Sequence, residues 1–255
     1  MNNELKKINN WMNLNRLTVN YLKTNYIIFT RGDLAKQFNI AMETHKLERV
    51  ESTRYLGVQI DQHLNWNSHL KTVISKLNSS SYILSKLRYY LDISCMKMIY
   101  YSLVYPLLNY CVTDWGGASK TSLQPIIVLQ KRILRFVTHN SYDSHTKPIF
   151  LKHKILPFNL IYQLNLAKLM HKIHNNVITG SYELTPLSQK HTYNTRLAKG
   201  GNYYQKYNKT SYGQSTFCNQ GLIVWRKVPK EFKSLPSHLF KNRLKKQLLK
   251  SLETS

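Results

Sequence analysis

Nucleotidyl transfer, phosphoryl transfer and hydrolysis generally need two carboxylates a few ångströms apart, to hold metal or to divide acid and base roles. No local pattern marks such a pair: Asp33, Asp61, Asp92, Asp114 and Asp143 stand singly, no Asp-Asp occurs, and Glu48 and Glu51 lie in a charged, surface-like turn. A folded site can still gather distant acids. Gly116-Gly117 and Gly200-Gly201 lack the Lys-Ser/Thr or helix-opening context of a phosphate-cradling loop. His171 and His174 are three apart, a usable ligand spacing. No neighbouring Cys or acid completes a metal set, however, and Lys168 and Lys172 repel a cation, so a basic, phosphate-facing surface fits this pair better. Cys95, Cys111 and Cys218 are odd in number and widely separated, which supports neither a disulfide framework nor a zinc knuckle and suits a reducing setting. No metal, cofactor or small-molecule substrate is expected on this chain alone.

The residues that do accumulate are cations. Thirty-seven Lys and Arg face 12 Asp and Glu, a formal charge of +25 and a pI near 10.0, so a polyanion is the expected partner, with nucleic acid ahead of a membrane surface. Residues 144–255 carry nineteen basic and three acidic side chains, against eighteen and nine in residues 1–143. Some of this is solubility charge, and single lysines mean little. Lys131, Arg132 and Arg135 are more informative, because they project together opposite an apolar helical stripe that runs from Ile126 to Val137. A merely solvated helix face would normally include Glu or Asp for pairing one turn away, and none occurs from Ala118 to Tyr142. Phosphate contact is therefore favoured there. Lys168, Lys172, Arg196, Lys241, Arg243, Lys245 and Lys246 extend the candidate nucleic-acid-binding set. Lysines among Tyr203, Tyr204, Tyr207 and Tyr212 combine charge with stacking for single strands, although aromatic loops also arise from packing.

The elements that must position these groups follow from periodicity. At 42% hydrophobic, the chain can bury a core as one large or two small domains. Leu5, Ile8, Trp11 and Met12 have helical spacing, and Tyr26 to Phe29 reads as a buried strand. Lys46 to Val50 and Tyr55 to Ile60, split by Glu51-Ser52-Thr53, predict a hairpin or two adjacent strands. Leu70, Val73, Ile74, Leu77, Leu84, Leu87 and Leu91 make one helical stripe that Asn67 or Ser68 can cap. A second helix starts at Ser94 and runs to Cys111 with a kink at Pro106. A third runs from Thr121 to Val137, and a fourth begins near Pro157 and carries Leu160, Leu164, Ala167 and Val177. Beyond Gly180 the composition turns to Tyr, Asn, Lys, Ser and Thr and reads as loops with short strands. A basic helix begins near Ser237 with Leu239, Phe240, Leu244, Leu248 and Leu249 on one side. Met1 to Asn10 lacks the apolar run of a signal peptide, and the stretch Met98 to Leu108 falls short of the ~20 residues of a membrane span. An intracellular protein, nuclear or cytoplasmic, is expected.

Three ordered stretches are more specific than the charge: Trp11 to Thr24, followed by the Tyr26 to Phe29 strand; Tyr55 to Asp61 with Leu64 to His69; and Tyr105 to Tyr110 with Trp115-Gly116 and Leu129 to Arg135. In this order they resemble the region after the catalytic hairpin of LINE-type, non-LTR, Jockey-like reverse transcriptases. His191 to Arg196, Trp225, Pro229 and Phe240-Lys241 are similar to the C-terminal region of the same family. The resemblance implies an α+β, predominantly α-helical chain: the end of a polymerase palm with a small antiparallel sheet over 1–66, a helical thumb over 67–142, and a basic C-terminal extension over 143–255. It implies that Lys23 matches the motif D lysine, which assists protonation of the leaving pyrophosphate, and that Tyr55, Leu56 and Gly57 match the primer grip. The partners it implies are RNA and DNA as a primer-template duplex. The family's Tyr-Ala-Asp-Asp hairpin and its other metal-binding Asp are expected before residue 1, with Mg²⁺ held only by a full-length parent enzyme. Two alternatives stand beside this reading: a host-adopted basic RNA- or DNA-binding protein, and a nonfunctional relic.

Overall fold

Helices dominate and the strands are short, so the chain is a predominantly α-helical α+β protein. The structure, a computed structural model, describes residues 2–30, 32, 38–178, 184–190 and 200–254. Packing divides the chain into two compact units, residues 1–71 and 72–255.

The first unit begins with α1 (Asn2–Leu14) and a 3₁₀ turn at Tyr21–Lys23. Its strands form three two-stranded sheets. Strand β1 (Asn25–Tyr26) runs parallel to β4 (Glu48–Arg49), β2 (Ala41–Met42) antiparallel to β3 (His45–Lys46), and β5 (Ser52–Tyr55) antiparallel to β6 (Val58–Asp61). A small core of Ile40, Met42 and Leu47 gathers Leu5, Val19, Tyr21 and Tyr26. Polar fastenings supplement it: the buried Asn9 amide and the Tyr21 hydroxyl both donate to the Glu43 carboxylate, and Tyr21 stacks on His45 with centroids 4.1 Å apart. The expected buried strand from Tyr26 to Phe29 is cut short. Its partner β4 offers only two residues, Ile27 and Ile28 are half-buried, and Phe29 is exposed. The chain turns instead to Gln62, whose carbonyl accepts from the Thr30 amide at 3.0 Å.

Helix α2 (Asn67–Leu87) is preceded by a turn that Asp61 orders, its carboxylate accepting from the amides of His63, Asn65 and Trp66. In the second unit follow α3 (Ile93–Ile99), a π-helical turn at Tyr100–Val104, α4 (Tyr105–Asn109), α5 (Val112–Trp115), α6 (Lys120–Val137), α7 (Thr146–His153) and α8 (Phe158–His174). The N-cap of α3 is Asp92, not Ser94 as expected; its carboxylate takes the amides of Ser94 and Cys95. Pro106 has no amide proton to give the ladder, and the break it causes is absorbed one turn earlier, in the π-helical turn. Ser119 caps α6 by accepting from the Ser122 amide at 3.1 Å.

The region expected to be loops contains α9 (Leu187–Lys190), α10 (Ser211–Ser215), α11 (Phe217–Lys227) and α12 (Lys230–Lys233), and the chain closes with α13 (Ser237–Thr254). Helix α8 is the hub: α11 and α13 both pack on it. Trp115 stacks on Phe158, while Trp225 and Phe240 are fully buried beside His171 and His174. Buried Gln130 ties three elements together. It donates to the Tyr100 hydroxyl at 3.0 Å and the Leu156 carbonyl at 2.9 Å, and accepts from the Phe158 amide at 2.7 Å. Gly116 and Gly117 are packing glycines: a Cβ there would meet Val112 O at 2.4 Å and Ser215 O at 2.5 Å respectively. Among the described residues no helix is long and apolar enough to cross a membrane.

Candidate nucleic-acid interface

In the first unit, the β5–β6 hairpin pairs Tyr55 with Val58, which leaves Leu56 and Gly57 as a two-residue turn. Both have positive φ, 46° and 83°, as the tight turns that match strand twist require. Glycine adopts that conformation without a Cβ penalty, whereas leucine there is strained. Tyr55 and Leu56 are nonetheless displayed at the tip, 62% and 72% exposed. Lys23 ends the 3₁₀ turn capped by Asn20, with its side chain in solvent.

In the second unit, burial of Ile126, Ile133 and Val137 turns the opposite face of α6 outward, leaving Lys131 and Arg132 exposed. Arg135 does a different job: its Nε donates to the Ser144 carbonyl at 2.9 Å and its guanidinium lies 5.9 Å from the Tyr142 ring, so it pins the loop after α6. An arginine that sequence reasoning passed over takes the vacant place in the ridge. Arg88, just after α2, sits 5.7 Å from the Phe136 ring, and Arg132 sits 5.7 Å from the same ring. Tyr89 and Tyr90 beside it are 78% and 83% exposed. Among the described residues none of Arg88, Lys131 and Arg132 has an ion-pair partner. The signal available in sequence was Arg88-Tyr89-Tyr90 following a long helix, a cation beside two aromatics.

A second cluster forms where α13 lies on α8. The Lys168 ammonium is pulled below the ordinary lysine range by burial first, then by Lys241 and Lys172; Lys245 is lowered by burial and by Lys241. These four sequence-predicted lysines therefore share one region, although they come from helices far apart in the chain. Lys168 Nζ donates to Asn165 Oδ1 at 3.3 Å, and Asn165 is itself fixed to Asn109 at 2.8 Å. Arg243 and Lys246 are exposed on the remaining faces of α13. Arg196 and the His191 to Arg196 stretch lie outside the described residues.

The histidine pair on α8 is corrected by its surroundings. His171 is buried, stacks on Phe240 at 4.1 Å and donates from Nε2 to the Leu235 carbonyl at 2.8 Å. His174 Nδ1 bonds the Tyr203 hydroxyl at 2.7 Å and its ring tilts toward Trp225. Burial pushes both below the ordinary imidazole value, with Lys233 and His171 lowering His174 further, so these rings are neutral packing groups and not phosphate contacts. Among the described residues no group of three or more His, Cys, Asp or Glu is placed to hold a metal ion. Lys233 was also missed. It is 4% exposed, donates to the Gly200 carbonyl and Asn202 Oδ1 at 2.8 Å each, lies 4.8 Å from the Trp225 ring, and is pushed down to about 8 by burial.

Compared with known proteins, the chain is 29% identical over 133 residues to a probable RNA-directed DNA polymerase from transposon BS of Drosophila melanogaster, covering 49% of this chain and 14% of that one. It is 25% identical over 114 residues to the RNA-directed DNA polymerase from mobile element jockey of the same organism, covering 43% of this chain and 12% of that one. No family model and no solved structure matches the chain. These relatives bear out the resemblance to LINE-type reverse transcriptases that the ordered motifs carry, and the likeness is to a small part of each relative's length.

Proposed function

We propose that this chain is a nucleic-acid-holding part of the RNA-directed DNA polymerase of a non-LTR mobile element. It grips a primer-template duplex and does not itself carry the paired aspartates that perform polymerisation. The observation that carries the reading is the convergence of Arg88 and Arg132 on Phe136, beside Lys131 and the exposed Tyr89 and Tyr90, with no described carboxylate to neutralise them. Like charges held together are costly unless an anion offsets them, and a phosphate backbone supplies regularly spaced anions. The Phe136 ring that both guanidinium groups approach holds them near one another for forked contact with phosphate oxygens.

The Lys168, Lys172, Lys241 and Lys245 cluster extends the same chemistry over the α8–α13 face. In this reading the Tyr55-Leu56-Gly57 turn meets the primer end, and Lys23 stands near the departing pyrophosphate of a parent enzyme. Salt titration of binding to an RNA–DNA duplex tests it. The full chain binds, and the double variant Lys131→Glu, Arg132→Glu lowers the slope of log K against log salt by roughly two contacts at ~0.9 each. An unchanged slope contradicts the reading, as does primer extension by the purified chain in Mg²⁺.

A further inference from the structure

Within the second unit, the segment Gln205 to Asn208 stands off from α10 and α11 and encloses an open cleft of about 460 Å³. That volume falls in the range of sites that take one small molecule or one nucleotide, roughly 300–1,000 Å³. The lining chemistry is unusual for a packing defect. Amide side chains dominate, two cations flank them, one tyrosine stands at the edge, and no carboxylate contributes.

The amides are held in place. Gln214 donates from Nε2 to the Asn208 carbonyl at 3.0 Å, and Gln220 donates from Nε2 to the Gln214 carbonyl at 2.7 Å. Beneath them buried Asn219 donates to the Gln214 carbonyl at 2.7 Å and accepts from Gln205. One N–H of the Gln214 and of the Gln220 amide is thus held, while the oxygen and second N–H of each remain an acceptor–donor pair. That is the complement of a Watson–Crick edge, which presents donors and acceptors side by side. Tyr207 is 79% exposed, a ring face with little intramolecular packing to lose. Lys206 and Arg226 are both exposed at the cleft.

We infer that this cleft binds one unpaired nucleotide of a single-stranded RNA or DNA: the base stacks on Tyr207, its edge meets the Gln214 and Gln220 amides, and its phosphate is met by Lys206 and Arg226. A duplex does not enter, because a paired base has its faces covered by stacking and its Watson–Crick edge taken by its partner. This deepens the proposed function and rests on the chain binding nucleic acid at all.

The test uses the full chain and fluorescence anisotropy with a short unstructured oligouridine, its deoxythymidine counterpart, and a blunt duplex of equal length. Tyr207→Ala weakens binding of both single strands about tenfold, in line with the loss of one stacked base, and leaves the duplex unchanged. Tyr207→Phe keeps the ring and retains single-strand affinity, which a merely structural role of the hydroxyl would not predict. Arg226→Ala lowers the salt slope for the single strands by about one contact. Equal single-strand affinity of Tyr207→Ala and the unaltered chain overturns the inference, as does an equal loss on duplex or tighter binding of a polyglutamate peptide than of oligouridine. If Tyr207→Ala is without effect while Lys131→Glu, Arg132→Glu still lowers the salt slope of duplex binding, this inference fails and the proposed function stands. If the unaltered chain binds no nucleic acid, both fail.

Discussion

Lys131 and Arg132 emerge on the outer face of α6 as their spacing predicts, because neighbouring apolar positions fix which way that face points. His171 and His174 do not: spacing says that two rings share a helix face, but not whether that face is covered, and α11 and α13 cover it. The consequence is a pH dependence with a definite sign. Both rings titrate below the ordinary value of 6.5, so the unfolded chain binds more protons than the folded one as pH falls through and below 6.5. Stability is fully present above that value and declines on acidification. Urea midpoints measured at about pH 7.5 and about pH 5 show the drop, and His171→Phe, which keeps the stack on Phe240, makes it smaller. Lys233 acts at the other end of the scale. Its folded value of about 8 lies below the ordinary 10.5, so its burial penalty is fully present below pH 8 and is relieved as pH rises toward 10.5. Lys233→Met removes that rise. At neutral pH it also removes the ammonium donor of the Gly200 carbonyl, a loss that opposes the relief of burial.

At the level of elements, long amphipathic helices were legible and short or polar ones were not. α6 and α13 run as their stripes require, since each buries one apolar face. Helix α11 went unread because Asn219, Gln220 and Gly221 part Phe217 from the short apolar run Leu222 to Trp225, and its apolar face is covered by α8. The strand at Tyr26 failed for the opposite reason: its composition was right, but its partner is two residues long. Two substitutions test how elements are tied. Gln130→Leu unpairs Tyr100, Leu156 and Phe158 at once and costs about 2–4 kcal/mol, read as a fall in thermal midpoint. Gly57→Ala forces a Cβ into a turn with φ of 83° and destabilises the β5–β6 hairpin by about 1 kcal/mol, seen as faster amide exchange on Thr53 and Ile60.

Taken as a molecule, the chain holds 37 basic against 12 acidic side chains, and the fold concentrates the former into patches that no single stretch of sequence displays. Arg88 joins Lys131 and Arg132 only because the end of α2 meets α6; Lys168 and Lys172 join Lys241 and Lys245 only because α13 lies on α8. Charge balance raised the expectation of a polyanion partner, the ordered motifs pointed to a family, and neither located the patches. The most direct test of duplex holding is the salt dependence of RNA–DNA duplex affinity for the unaltered chain and for the triple variant Arg88→Glu, Lys131→Glu, Arg132→Glu. Binding is expected to be steeply salt-dependent and to fall by about 10²-fold or more in the variant, with its fold intact by circular dichroism. Duplex affinity that is indifferent to salt, or equal in the two proteins, would contradict duplex holding by these residues.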